Sequence, residues 1–129
     1  MVHVDKAVFD ERFWRSLDRL VDESEVIVDQ PAGSAHPRYP EYVYPFDYGY
    51  LAATSSTDGG GIDVWIGSLG NTAVVGIVLS VDLHMRDAEI KLLLGCTPQE
   101  AQRIKATHNE NSQAGILILR ENTSASAID

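Results

Sequence analysis

The stretch Pro45-Phe46-Asp47-Tyr48-Gly49-Tyr50, with Thr57-Asp58-Gly59-Gly60-Gly61-Ile62-Asp63-Val64-Trp65-Ile66 after it, decides how this chain is read. An aromatic turn leads into a triple-glycine loop that carries an aspartate at each end, and an apolar strand follows. Glycine adopts backbone angles that side chains forbid, so such a loop folds tightly and is able to bring Asp58 and Asp63 towards one point. Two carboxylates at one point repel each other unless a cation sits between them, and hard divalent ions prefer oxygen ligands. The plainer reading is an ordinary turn before a strand, since Asp-Gly is a common turn pair.

Upstream, Val26-Ile27-Val28 predicts a short strand that stops at Pro31. Residues 31–48 hold four prolines and four tyrosines, poor helix material that predicts an extended, aromatic-walled loop. Residues 6–22 predict an amphipathic helix, with Phe9, Phe13, Leu17 and Leu20 recurring at three- and four-residue steps. Downstream, strands are expected at Ile62–Ile66, Asn71–Val81, Glu89–Leu94 and Gly115–Leu119. Thr97-Pro98-Gln99-Glu100 is a capping box with proline at the first helical position, opening a helix to about residue 108. The polar tail, 121–129, is expected to be flexible. The result is one α+β domain, and a small, strongly bent barrel with helices outside is its natural closure.

Composition narrows the function classes. The chain has 129 residues, 44% of them hydrophobic, which suits one domain with a real core. No run approaches the ~20 apolar residues of a membrane span, and the start lacks the apolar core of a signal peptide. Cys96 is the single cysteine, so no intrachain disulfide forms; it reads as a small buried side chain, and a cytoplasmic address is the default expectation. A net charge of −9 repels phosphate backbones and argues against nucleic-acid binding. An acidic protein still binds a phosphorylated small molecule where metal ions carry the positive charge.

The segment Tyr44-Pro45-x-x-Tyr48-Gly49-Tyr50 followed by Asp58-Gly59-x-x-x-Asp63-Val64 resembles the signature of family I soluble inorganic pyrophosphatases. In that family an Asn-Tyr-Gly-Phe/Tyr turn precedes Asp-Gly-Asp-Pro-x-Asp-Val, whose three aspartates hold magnesium. Gln30 to Tyr39 is similar to the family's Pro-x-Gly-Ser-x-x-Lys-Tyr-Glu segment, and Glu89-Ile90-Lys91 to its Asp-x-Lys segment. The resemblance spans roughly residues 25–95, and more loosely reaches 120. It implies a five-stranded OB-type barrel with flanking helices, Mg2+ or another divalent ion as cofactor, a small phosphorylated substrate and a homo-oligomer. The chain is short for this family, with the missing length between Tyr39 and Tyr44.

Carried over residue by residue, the resemblance implies Asp58 and Asp63 as the first and third loop aspartates, while Gly60 stands where the second would be. Asp58, Asp63, Glu89 and Asp87 are the implied metal ligands. After Val81 the spacing is ambiguous: Asp82 and Asp87 keep the family's five-residue separation, whereas Glu89 and Lys91 keep its acid-to-lysine step. Alternation in a strand puts Glu89 and Lys91 on one face and favours them, with His84 then in the place of the first acid. Arg38 replaces a phosphate-binding lysine and grips phosphate with paired hydrogen bonds. Arg38, Tyr48 and Lys91, beside Asp58 and Asp63, form the implied catalytic set; Arg38, Tyr39, Tyr48, Lys91 and His108 would bind substrate, with His36 a further candidate. The expected activity is metal-dependent hydrolysis of inorganic pyrophosphate. The alternatives are a non-catalytic domain that binds a phosphorylated ligand and a phosphohydrolase for another phosphoanhydride such as a nucleotide.

Overall fold

A computed structural model describes residues 11–56 and 59–120. The element order is α1 (Glu11–Asp22), β1 (Val26–Gln30), β2 (Asp47–Leu51), β3 (Ile62–Ile66), β4 (Val74–Asp82), β5 (Asp87–Leu94), α2 (Pro98–Thr107) and β6 (Gln113–Leu119). The six strands form one sheet in the order β1-β2-β3-β5-β4-β6. All neighbours are antiparallel except β3 and β5, which run parallel with Asp63 opposite Lys91.

The expected five-stranded barrel is therefore corrected to a six-stranded mixed sheet. The additional strand is β2, hidden in sequence inside the aromatic turn. Tyr48, Gly49 and Tyr50 pair with β1 on one side and β3 on the other. Gly49 is needed there because a Cβ would fall 1.8 Å from the Ile27 carbonyl oxygen, so only glycine lets β1 approach. β1 and β6 stand at opposite ends of the order, and no pairing joins them among the described residues. The α+β class stands as expected. No helix among the described residues is long and apolar enough to cross a membrane.

Strand alternation divides the core between the two faces of the sheet. On one face Val64, Ile77, Leu92 and Leu94 pack against Trp14 and Val21 of α1. Arg120, just after β6, ties that helix down through Asp18 at 2.8 Å and Glu11 at 2.9 Å. On the other face Trp65, Val78 and Leu93 pack against Cys96, Ala101 and Ile104 around α2. The capping box of α2 is present in both directions, Glu100 N to Thr97 Oγ1 at 3.1 Å and Thr97 N to Glu100 Oε1 at 2.8 Å. The end of α2, at Thr107 and His108, borders a cleft on this face. The loop carrying His36 to Tyr44 flanks that cleft, where the site lies. The N-terminal part of the expected first helix, residues 6–10, and the tail 121–129 lie outside the described residues.

Candidate functional site

Three neighbouring strands bring the polar residues of this face together. Glu89 and Lys91 are two apart on β5, Asp63 lies opposite Lys91 on β3, and Tyr48 projects from β2. Lys91 Nζ donates to Asp63 Oδ2 at 2.7 Å, to Glu89 Oε1 at 2.5 Å and to the Tyr48 hydroxyl at 3.0 Å. Tyr48 in turn donates to Asp63 Oδ2 at 2.7 Å. One ammonium thus sits between two carboxylates, all three side chains being mostly buried. The alternation argument for Glu89 and Lys91 is met by this geometry.

Burial and charge set the proton occupancy here. Burial alone would lower the Lys91 pKa, but Tyr48, Asp63 and Glu89 outweigh it and hold it above the ordinary lysine value. Burial raises Glu89, against the opposing pull of Lys91. Burial also lifts Tyr48 well above the usual phenol range, so its hydroxyl is a donor rather than a base.

These groups open into a cleft of about 890 Å³. Arg38, Tyr39, Tyr48, Asp87, Glu89, Lys91 and His108 all line it, as do His36 and His84. Asp63 joins through its bonds to Tyr48 and Lys91. Asp58 lies outside the described residues. Of the glycines beside it, Gly59 has φ +83°, and a Cβ on Gly61 would fall 2.7 Å from the Leu51 carbonyl oxygen.

Two of the cleft-lining residues already have partners of their own. Asp82 Oδ1 accepts from His84 N, Met85 N and Ser112 Oγ, at 2.9, 3.0 and 2.7 Å, and these bonds lower its pKa. It holds the turn between β4 and β5, so although it lines the cleft its Oδ1 is already committed, unlike Asp87 and Glu89. His108 reaches the cleft wall with both ring nitrogens engaged: Trp65 Nε1 donates to Nε2 at 3.0 Å, and Nδ1 meets Gln113 Oε1 at 2.9 Å. The first bond places the ring proton on Nδ1, so the imidazole is neutral, and burial lowers its pKa accordingly.

Trp65, Gln113 and Tyr44 line this cleft; of these the sequence marked Trp65 only as the end of a pocket-framing stretch and Tyr44 only as wall packing, and it gave Gln113 no part. Trp65 lies two residues after Asp63 on β3, so strand alternation puts the two on one face. Tyr44 stacks on Tyr48 at 5.3 Å between ring centres, and its pKa is pushed up to about 12 by burial. The loop bearing Tyr44 is a narrow excursion closed by Gly33 N to Tyr44 O and His36 N to Tyr42 O, both 2.8 Å. His36 organises its tip, since Nδ1 accepts from the backbone of Arg38 and Tyr39 at 3.0 and 3.1 Å.

The lining counts five carboxylates (Glu41, Asp82, Asp87, Glu89, Glu110) against two permanent cations, Arg38 and Lys91. Carboxylate oxygens are the donors a hard divalent ion takes, and this acid excess favours one. Yet among the described residues no three His, Cys, Asp or Glu side chains gather as a metal-binding group, and Lys91 already stands between Asp63 and Glu89.

No protein-family model and no curated protein matches the sequence. Solved structures do. An inorganic pyrophosphatase from Neisseria gonorrhoeae superposes with a TM-score of 0.55 at 18% identity, over 80% of this chain and 84% of that one. One from Coxiella burnetii superposes with a TM-score of 0.50 at 14% identity, over 78% and 86%. The chain has a pyrophosphatase-like fold.

Proposed function

We propose that this protein binds a small phosphorylated molecule in the cleft and hydrolyses its phosphoanhydride bond, with inorganic pyrophosphate as the first substrate to test. The observation that carries the reading is the convergence of Asp63, Glu89, Lys91 and Tyr48 in one cleft with Arg38, on a fold shared with inorganic pyrophosphatases. The acid excess of the lining means that a polyanion needs accompanying positive charge, so the ligand is proposed to enter with Mg2+. Asp63, Glu89 and Asp87 do not gather as a metal-binding group among the described residues, so the ion is proposed to arrive on the phosphates; when bound, it would neutralise their charge and lower the pKa of a coordinated water.

The chain's own groups have separable roles in this proposal. Arg38 is exposed and makes no salt bridge among the described residues, so its guanidinium is open to grip phosphate. Lys91, kept protonated, offers charge to the transferred group, and Tyr48 donates a hydrogen bond and keeps Asp63 in place. Glu89 keeps the Lys91 ammonium in place from the other side.

The test is phosphate release from pyrophosphate with magnesium, manganese or zinc, comparing the wild type with Asp63→Asn. Turnover that falls at least a hundredfold in the variant is expected, the scale on which one positioned catalytic group contributes. Absence of turnover with all three metals would refute hydrolysis of inorganic pyrophosphate. A second reading, ligand binding without turnover, is favoured by Gly60 in place of a loop acid and by Lys91 between Asp63 and Glu89. Protection of the fold by pyrophosphate without phosphate release selects it.

A further inference from the structure

The aromatic side of the cleft is unexplained by a bare diphosphate. Pockets of about 300–1,000 Å³ are the size that takes drug-sized ligands, and this one, at 890 Å³, is near the top of that range. From Tyr48, beside Lys91 at the floor, rings follow one another outward: Tyr48 to Tyr44 at 5.3 Å, Tyr44 to His36 at 6.0 Å and His36 to Tyr39 at 5.1 Å. The inner rings pack on each other and on Trp65, as core aromatics do. Tyr39, the last, meets His36 on one side and is otherwise open: it is 42% exposed and still lines the cleft.

The mouth is built to present that ring. The two backbone bonds to His36 Nδ1 hold Arg38 and Tyr39 on one tight turn, so a cation and an aromatic face stand side by side. They also place the imidazole proton on Nε2, a donor on the cleft wall. Glu41 and Glu110 line the cleft as exposed acids, and carboxylates are the usual acceptors for sugar hydroxyls.

Resting on the phosphoanhydride reading above, we propose that the preferred ligand carries a planar base on its phosphates, a nucleoside polyphosphate, with the base stacked on Tyr39 and the phosphates between Arg38 and Lys91. The ring ladder would then form the wall between base and phosphates, and the acids lining the cleft would hold its sugar.

Calorimetric titration of the full chain with ADP and with pyrophosphate, each with Mg2+, tests this. ADP is expected to bind at least tenfold tighter than pyrophosphate. Tyr39→Ala should lower ADP affinity by roughly 5- to 150-fold, the range that loss of an aromatic stacking partner produces. The ratio of the two affinities should fall with it, and Tyr39→Phe should restore that ratio. The side chain lies on an exposed turn held by backbone bonds, so the variants keep the fold. Pyrophosphate binding as tightly as ADP, or a ratio unmoved in Tyr39→Ala, overturns the proposal and leaves the phosphoanhydride reading standing. Failure of both ligands to bind overturns the two together.

Discussion

Replacing Lys91 by methionine isolates the electrostatics of the floor of the cleft. Methionine keeps the apolar stem and removes the ammonium, leaving Asp63 and Glu89 facing each other with 25% and 15% side-chain exposure. Breaking a buried ion pair by deleting one partner costs about 3–5 kcal/mol. Residual solvent access to both acids puts the expectation here at the low end, about 3 kcal/mol near neutral pH, or a fall of roughly 10 °C in Tm. The loss is pH-dependent, with a defined sign. Glu89 already has a raised pKa from burial, and Lys91 is the group that opposes the rise. Without Lys91 the pKa climbs further. A carboxyl raised in the folded state contributes stability that is present below its unfolded value and lost as pH rises through its folded value. The deficit of Lys91→Met is therefore largest above neutrality and shrinks towards about pH 5, as a protonated Glu89 relieves the repulsion. Urea denaturation of both proteins at these two pH values measures it. A deficit under about 1 kcal/mol at both, the value of a solvent-screened surface pair, would refute the claim that Lys91 is the cation of this site.

Two further outcomes follow from geometry away from that cluster. His108 has its pKa lowered by burial, so the wild type loses stability as pH falls from about 6.5, where the unfolded imidazole takes up a proton. His108→Gln should flatten that part of the Tm profile, and an unchanged slope between about pH 7 and 5.5 would contradict a buried neutral imidazole. Gly49→Ala should destabilise by about 3 kcal/mol or more, because its Cβ would sit 1.8 Å from the Ile27 carbonyl oxygen. A variant that unfolds at the wild-type denaturant midpoint would show that β1 does not lie over β2 as described.

Sequence patterns were most legible where one local rule governs an element. Thr97-Pro98-x-Glu100 announced α2, and the capping hydrogen bonds are in place. Alternation put Glu89 and Lys91 on one face of β5, where they meet. The strand expected at Asn71–Val81 instead starts at Val74, because Asn71 folds its side chain back onto Ala73 N to form the preceding turn. β2 was illegible: Pro45 and Gly49 signal a turn, and nothing local reveals that Gly49 lies under the backbone of Ile27, 22 positions earlier by number in the chain. The same holds for His108, expected as a substrate-binding donor, whose two nitrogens are taken by Trp65 and Gln113.

By itself, the amino-acid sequence determined the α+β class, the helix start at Thr97, the acidic character that disfavours nucleic acid, and the residue types gathered around the glycine loop. These depend on propensity, period and net charge, which are properties of neighbours along the chain. The order of the six strands, the ammonium of Lys91 between two carboxylates, the commitment of Asp82 to a turn and the ring ladder ending at Tyr39 were decided only by tertiary structure. Each brings together groups far apart in sequence. Which of several chemically similar acids and rings meets which partner is settled by strand register and burial, since a hydrogen bond or ion pair acts only over a few ångströms.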